Sequence, residues 1–304
     1  MDQFDQLFDQ LQKCCPDMEL LKQEPMARHT TFRIGGPVPL MARPTNEEQV
    51  LACVRLAREN QIPLVVLGNG SNLLVADEGV QAFVLDMTGL NRLERTGERE
   101  IAVGAGVTLA RLASFAAGEG LTGLEFAGGI PGTLGGAVMM NAGAYGGEMV
   151  QVVRRTRCLT PEGRVKEIVG EEHEFSYRHS VFSQGEDVIL SSVLELEPGQ
   201  EEDIRAQMAE LAQKRKSKQP LEYPSAGSMF KRPQGYFAAA LIDQCGLKGF
   251  TVGGAQVSEK HAGFVINRGG ATCADVMDLT AHIRETVFRE TGVTLEMEVR
   301  TLGI

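Results

Sequence analysis

Residues 127–147 read AGGIPGTLGGAVMMNAGAYGG, and no other stretch constrains the fold of this chain so strongly. Glycine loses more backbone entropy on ordering than any other residue, so a run this rich in it is expected to form a loop, not a regular element. Such a loop lets the main chain approach a ligand closely and present N–H donors to it. Two smaller turns share the character: GNGSN at 68–72, which ends the apolar run IPLVVLG, and GAGVTLA at 104–110. No GK[ST] follows any of them, which excludes a P-loop. Gly104 and Gly106 lack the third glycine of a Rossmann fingerprint. Taken singly, each is an ordinary turn. Taken together, in a chain with 35 glycines among 304 residues, they suggest a dinucleotide held outside a Rossmann fold.

The surrounding periodicities place these turns among mixed elements. Residues 1–22 read as an amphipathic helix with Phe4, Leu7, Phe8 and Leu11 on one face. Thr45 and Glu48 form a capping-box pattern opening a helix to about Asn60, with Val50, Leu51, Val54 and Ala57 inward. IPLVVLG reads as a buried strand, IAVGAGV (101–107) as a strand, and LARLASFAAGEG (109–120) as a helix stopped by glycine. VVRRTRCLT, GRVKEIV and DVILSSVLEL read as strands. Beyond residue 200 the pattern changes to a long charged helix, broken at Pro220 and Pro224. PSAGSMFKRP then reads as a loop, GYFAAALIDQCG as a helix, GFVINRG as a strand, TCADVMDLTAHIRETVFRETG as a helix and VTLEMEVRTL as a final strand.

Charge and cysteine usage narrow the function classes. A net charge of −10 and a pI near 5.1 argue against a nucleic-acid partner, because an acidic chain gains nothing from counterion release. Cys14, Cys15, Cys53, Cys158, Cys245 and Cys273 show no CxxC pair and no metal-ligand spacing, so reduced thiols and no bound metal are expected. MDQFDQLFDQ has no apolar signal-peptide core and no apolar run is long enough to span a bilayer, so a cytoplasmic protein is expected.

HTTFRIGG (29–36), LGNGSNLLV, GGIPGTLGGAVMMNAGAYGG, SYRHS, PSAGSMFKRP, GGAQVSEKHAGFVIN and LEMEVR occur in that order. This set closely resembles the UDP-N-acetylenolpyruvoylglucosamine reductase family, from about residue 24 to the C-terminus. SVFSQGEDVIL is short and lacks a tyrosine, which resembles the shorter subtype of that family, without the substrate-covering Tyr segment. The resemblance implies an α+β protein: an FAD-binding fold of the vanillyl-alcohol oxidase type in two subdomains, plus a separate α+β substrate domain. The expected ranges are 1–78 and 79–200 for the FAD subdomains and 201–304 for the substrate domain, whose last strand could pack back toward the FAD region.

The resemblance also implies a site. Gly68, Asn69, Gly70, Ser71 and Asn72 would lie at the FAD pyrophosphate. Gly129, Pro131, Gly132, Gly135, Gly136, Asn141, Ala142 and Gly143 would wrap the rest of the cofactor, with Arg33 and Gly35 completing it. Ser228, Arg178 and Glu298 match the catalytic positions, and Lys218 matches a substrate-contacting lysine. On pattern alone each has a plainer reading. Ser228 could bond its local backbone. Arg178 could be an exposed loop residue. In VTLEMEVR, Glu298 falls on the polar face, where it could meet solvent and Arg300. Lys218 could be one more charge in KRKSK. His179 reads as surface.

The implied activity is reduction of an enolpyruvyl sugar nucleotide. FAD would be non-covalent, since no histidine sits in the phosphate-binding turns, with NADPH as co-substrate and a UDP-sugar as substrate. A monomer is expected. Two rivals stand beside this: an alcohol oxidase of the same wider fold using O₂, and a UDP-sugar-binding regulatory protein without redox function.

Overall fold

Pro16 ends the first helix early. The computed structural model describes residues 2–304 and shows α1 at Gln3–Cys14, with Phe4, Leu7 and Leu11 buried. The residue before a proline is driven out of the helical region. The chain therefore turns and enters the strand Glu19–Pro25, where the sequence suggested helix to residue 22. The second helix, α2 (Glu47–Glu59), is capped by Asn46, whose side chain accepts from the Gln49 N–H, in place of the Thr45–Glu48 box. Gln49 Oε1 in turn accepts from the Thr45 N–H at 2.7 Å. Val50, Cys53, Val54, Leu56 and Ala57 form its buried face, while Leu51 is exposed.

The chain forms two compact units interleaved in sequence: Met1–Lys22, Pro39–Asn69 and Ala82–Lys214 in one, Gln23–Val38, Gly70–Gln81 and Arg215–Ile304 in the other. This division differs from the consecutive ranges 1–78, 79–200 and 201–304. Helix α5 (Glu201–Lys218) stays with the first unit as far as Lys214. Met208 and Ile204 explain why, since they lie against Gly128 and Gly199.

The first unit holds two sheets. In one, the strands run in the order Glu19–Pro25, Pro37–Arg43, Phe83–Asp86, Leu64–Leu67, with the last two pairings parallel. Val66 is exposed, so IPLVVLG supplies a shorter and less buried strand than expected. In the other sheet the order is Val165–Val169, Val153–Leu159, Val188–Glu195, Glu100–Gly104, Leu93–Arg95, all antiparallel. IAVGAGV thus ends as strand at Gly104. Helix α3 (Leu109–Gly118) opens on the Thr108 side chain, and Gly120 follows it at φ +66°. The glycine-rich run is not wholly irregular. It contains α4 (Leu134–Met139), a single-turn-and-a-half helix that buries Leu134, Ala137 and Val138. Burial of these three apolar residues outweighs the poor propensity of Gly135 and Gly136. Helix α5 (Glu201–Lys218) is the charged helix expected, acidic in its first turn and basic in its last, which complements the helix dipole.

The second unit is built on a four-stranded antiparallel sheet in the order Ser225–Ser228, Phe264–Asn267, Ala255–Val257, Thr251–Val252. PSAGSMFKRP is therefore partly strand, not loop. Helices α6 (Ala238–Gln244) and α7 (Cys273–Thr291) complete the unit, with α7 opened by a Thr272–Asp275 capping box and closed by Gly292 at φ +72°. Its core gathers Phe32, Ile34, Leu74, Phe230, Ile242, Val265, Leu279, Val287 and Leu295. The predicted last strand shrinks to Arg300–Leu302, which pairs in parallel with Leu73–Val75. Ahead of it, Leu295 and Val299 are buried as the alternation indicated. No helix among the described residues is long and apolar enough to cross a membrane.

Candidate active site

The two glycine-rich segments of the first unit meet. Asn69 Nδ2 donates to the Pro131 carbonyl at 2.6 Å. A Cβ on Gly68 would stand 2.3 Å from Thr133 Oγ1, so only glycine allows this approach. Farther along the same turn, Gly70 has φ +57°, and a Cβ there would lie 2.0 Å from the His29 carbonyl oxygen. Among the described residues, no protein acceptor takes the N–H of Asn69, Gly70 or Ser71. Buried N–H groups left unpaired are costly, and Gly70 is buried. Three successive unspent donors suit a ligand oxyanion, so the turn fits the pyrophosphate of FAD.

Arg178 lies in the first unit on a tight turn. Ser176 and His179 exchange main-chain hydrogen bonds of 3.1 and 3.2 Å, which leaves Tyr177 and Arg178 at the tip. Arg178 takes φ +55°, an uncommon conformation for a residue other than glycine. Its guanidinium donates to the Gly143 carbonyl at 3.3 Å and lies 5.0 Å from the Tyr177 ring. The turn is thereby fastened to the 139–143 segment, where Ser180 Oγ and Ser183 Oγ both donate to the Met139 carbonyl at 2.7 Å. His173, fully buried, anchors the preceding chain. Its ring contacts the Gly170 carbonyl and Thr156 Oγ1, both at 2.9 Å, and stacks on Phe175. Burial pushes its imidazole below the ordinary value.

Ser228 and Glu298 are brought together in the second unit. Ser228 pairs with Phe264 and Ser225 with Ile266, with a register shift between them. Gly227 sits in that irregularity at φ +79°. A bulge of this kind re-aims the side chain that follows, here Ser228, which is half-buried. The next residue, Met229, accepts from the Glu298 N–H at 2.9 Å, and Phe230 bridges to Met297. Asn72 joins the same cluster, with Nδ2 donating to the Glu298 carbonyl at 3.1 Å and its carbonyl accepting from the Arg300 N–H. The turn at 29–36 joins it too. Thr31 Oγ1 donates to the Ser225 carbonyl at 2.7 Å, and the Thr31 N–H donates to the Gly70 carbonyl at 3.2 Å.

Arg33 (φ +58°) and Gly35 (φ +135°) shape the 29–36 turn, where a Cβ on Gly35 would collide with Val75. Lys218 is exposed at the end of α5. Sequence reasoning missed Thr31 and Asn267. Buried Asn267 donates to the Phe32 carbonyl and accepts from the Gly269 and Ala271 N–H groups, and so fixes the 29–36 turn. An asparagine ending the apolar strand GFVIN was the one available signal.

Residues 38–169 match the family described as FAD binding domain, and residues 219–302 match the C-terminal domain of UDP-N-acetylenolpyruvoylglucosamine reductase. The chain is 48% identical over 288 residues to the UDP-N-acetylenolpyruvoylglucosamine reductase of Pediococcus pentosaceus, covering 95% of this chain and 96% of that one. It is 44% identical over 303 residues to the reductase of that name from Clostridium perfringens, covering 100% and 99%. Its fold is similar to the crystal structure of the reductase from Thermus caldophilus, with TM-score 0.80, 35% identity, and 94% and 98% of the two chains covered. An alkyldihydroxyacetonephosphate synthase, 21% identical with TM-score 0.52 over 65% of this chain and 44% of the other, shares the fold alone. The chain therefore belongs to the UDP-N-acetylenolpyruvoylglucosamine reductase family, as an FAD-dependent oxidoreductase with the α+β flavin-binding fold of the vanillyl-alcohol oxidase type.

Proposed function

We propose that the chain catalyses the NADPH-dependent, FAD-mediated reduction of UDP-N-acetylglucosamine enolpyruvate to UDP-N-acetylmuramate, in peptidoglycan precursor synthesis. The observation that carries this reading is the placement of Ser228 behind the Gly227 bulge, with Glu298 bonded to the adjacent residue. That arrangement lies inside the segment matching the reductase C-terminal domain. Functionally, 1–78 and 79–200 serve the cofactor and 201–304 the substrate, in a cytoplasmic monomer.

When bound, non-covalently, FAD would supply the hydride needed at one alkene carbon, with NADPH as the ultimate reductant. The Ser228 hydroxyl donates the proton that the other alkene carbon needs. Arg178 holds the substrate carboxylate in its planar fork as negative charge develops there. Glu298, carried beside the Ser228 strand, polarises the same group. Lys218, at the basic end of α5, meets the substrate diphosphate. The N–H groups of Asn69, Gly70 and Ser71 would hold the FAD pyrophosphate, with Arg33, Gly35, residues 129–136, Ala142 and Gly143 around the remainder.

The test is the absorbance spectrum of the purified protein. It should be yellow, bleach with NADPH and recover its colour with the enolpyruvyl sugar nucleotide. Heat-released flavin should chromatograph as FAD. Recovery of colour by air alone at turnover rates would favour an oxidase, and a colourless protein that still binds UDP-sugars would favour a regulatory binding protein.

A further inference from the structure

Asn141 is 1% exposed and takes φ +42°, a conformation that asparagine and aspartate tolerate better than most residues. The Val150 N–H, which can only donate, points at Asn141 Oδ1 from 2.9 Å and so fixes the orientation of the amide. Nδ2 then has two hydrogens to place. It donates to Glu148 Oε2 at 3.2 Å and to the Ser176 carbonyl at 3.1 Å. Both donors of the side chain are therefore used inside the protein.

The partners explain the choice of residue. Glu148 belongs to the hairpin that pairs Gly143–Ala144 with Gly147–Glu148. Its side chain crosses Gly143 on the way to Asn141, and a Cβ on Gly143 would stand 2.7 Å from Glu148 Cγ. Ser176 is the first residue of the turn that carries Arg178, and its carbonyl also accepts the 3.2 Å bond that closes that turn. One buried amide thus ties the glycine-rich hairpin to the base of the Arg178 turn, while Gly143 receives the guanidinium itself.

We infer that Asn141 is a positioning residue: it sets the register of the Ser176–His179 turn, and hence the place of the Arg178 guanidinium, and its side chain does not contact the flavin. This deepens the proposed function and rests on the reading that Arg178 acts on the substrate. It reassigns a residue that the sequence placed at the cofactor.

Asn141→Asp keeps the size and the left-handed tolerance, and Oδ1 can still accept from Val150. Its second oxygen carries no hydrogen when ionised and one when protonated, so it cannot donate to both the Ser176 carbonyl and Glu148 as the amide does. Adding Glu148→Gln restores a donor toward residue 141 and mends the hairpin, but leaves the Ser176 carbonyl without its amide donor. Each variant is purified with FAD, and flavin absorbance is followed by stopped flow in each half-reaction separately.

Asn141→Asp should slow reoxidation by the enolpyruvyl substrate by about 10- to 100-fold, the scale expected for ångström-level misplacement. Flavin content and bleaching by NADPH should hold. Asn141→Asp with Glu148→Gln should regain thermal stability but not the reoxidation rate. Asn141→Asp added to Arg178→Lys should be no slower than Arg178→Lys alone, because both act through one group.

Recovery of the rate along with stability in the Asp–Gln pair would overturn the inference, since Asn141 would then only hold the hairpin. Loss of FAD from that stable pair would also overturn it, in favour of a cofactor contact. A slow Arg178→Lys beside a normal Asn141→Asp overturns this inference alone. A normal Arg178→Lys overturns the role given to Arg178, and this inference with it.

Discussion

The Arg178 turn and the Ser228 strand are both short and polar, and both depend on one residue with positive φ, yet they are held in opposite ways. The Arg178 turn closes on itself through main chain, but it is fastened to the rest of its unit by side chains. Asn141, Ser180 and Ser183 reach across from or to the 139–143 segment, and His173 anchors the chain from the core. Ser228 is positioned by main chain. Its strand pairs with Phe264–Asn267, and Met229 is bonded through its carbonyl to the Glu298 N–H. A backbone-held group tolerates changes in its neighbours' side chains but is exposed to changes in backbone conformation. A side-chain-held group has the reverse sensitivity.

The largest effect that sharpens this comparison is at Ser228 itself. Ser228→Ala removes the hydroxyl and adds no bulk, and the strand that carries it stays paired through main chain. Reoxidation by substrate should fall by about 10²- to 10⁴-fold, while flavin content and NADPH-driven bleaching stay near wild type. Ser228→Cys should recover part of the rate. Equal slowing of both half-reactions would show that Ser228 holds the cleft and does not donate the proton.

Gly227→Ala tests the main-chain side of the comparison and should have an intermediate effect. A Cβ there meets nothing within 4 Å, so the change acts through φ +79° alone. The left-handed conformation costs a non-glycine residue about 1–2 kcal/mol. Thermal stability should drop by that amount, and reoxidation should slow several-fold as the bulge relaxes and Ser228 turns away. Wild-type kinetics together with full loss of stability would separate the bulge from the aim of Ser228.

The smallest effect is a pH dependence in the side-chain-held region. Burial lowers the imidazole pKa of His173 from its ordinary 6.5, so the folded protein keeps it neutral where the unfolded chain binds a proton. The corresponding stability is fully present above pH 6.5 and is lost as pH falls below it toward the folded value. The slope is at most about 1.4 kcal/mol per pH unit for one histidine. His261, also lowered by burial, adds a slope of the same sign in the second unit. Melting temperatures between pH 7.5 and 5 should fall less steeply in His173→Gln than in the wild type. An unchanged slope would assign the acid sensitivity elsewhere.

Elements with strong local signals were legible. Helices α2, α3, α5 and α7 and four of the five strands of the larger antiparallel sheet follow their periodicity to within a few residues, while Leu93–Arg95 carried no such signal. Three of the departures share a cause. Helix α4, the strand Ser225–Ser228 and the shortened final strand lie where local preference is weak and packing decides. Thr45 lost the cap to Asn46 because both residues have capping side chains and only the direction of the incoming chain distinguishes them.

The sequence by itself determined that glycine-rich turns could hold a dinucleotide, because such turns are local, and it set the order of the motifs, whose resemblance to one family implied FAD. Only the tertiary structure decided which motifs meet. Asn72 and Glu298 are 226 positions apart, and Thr31 and Ser225 are 194 apart. No periodicity encodes such pairings, since they form only after each unit's core has fixed the strands that carry them. The same holds for Asn141. Its place in the motif suggested a ligand contact, and the burial of its amide against Val150, Glu148 and Ser176 gave it other partners.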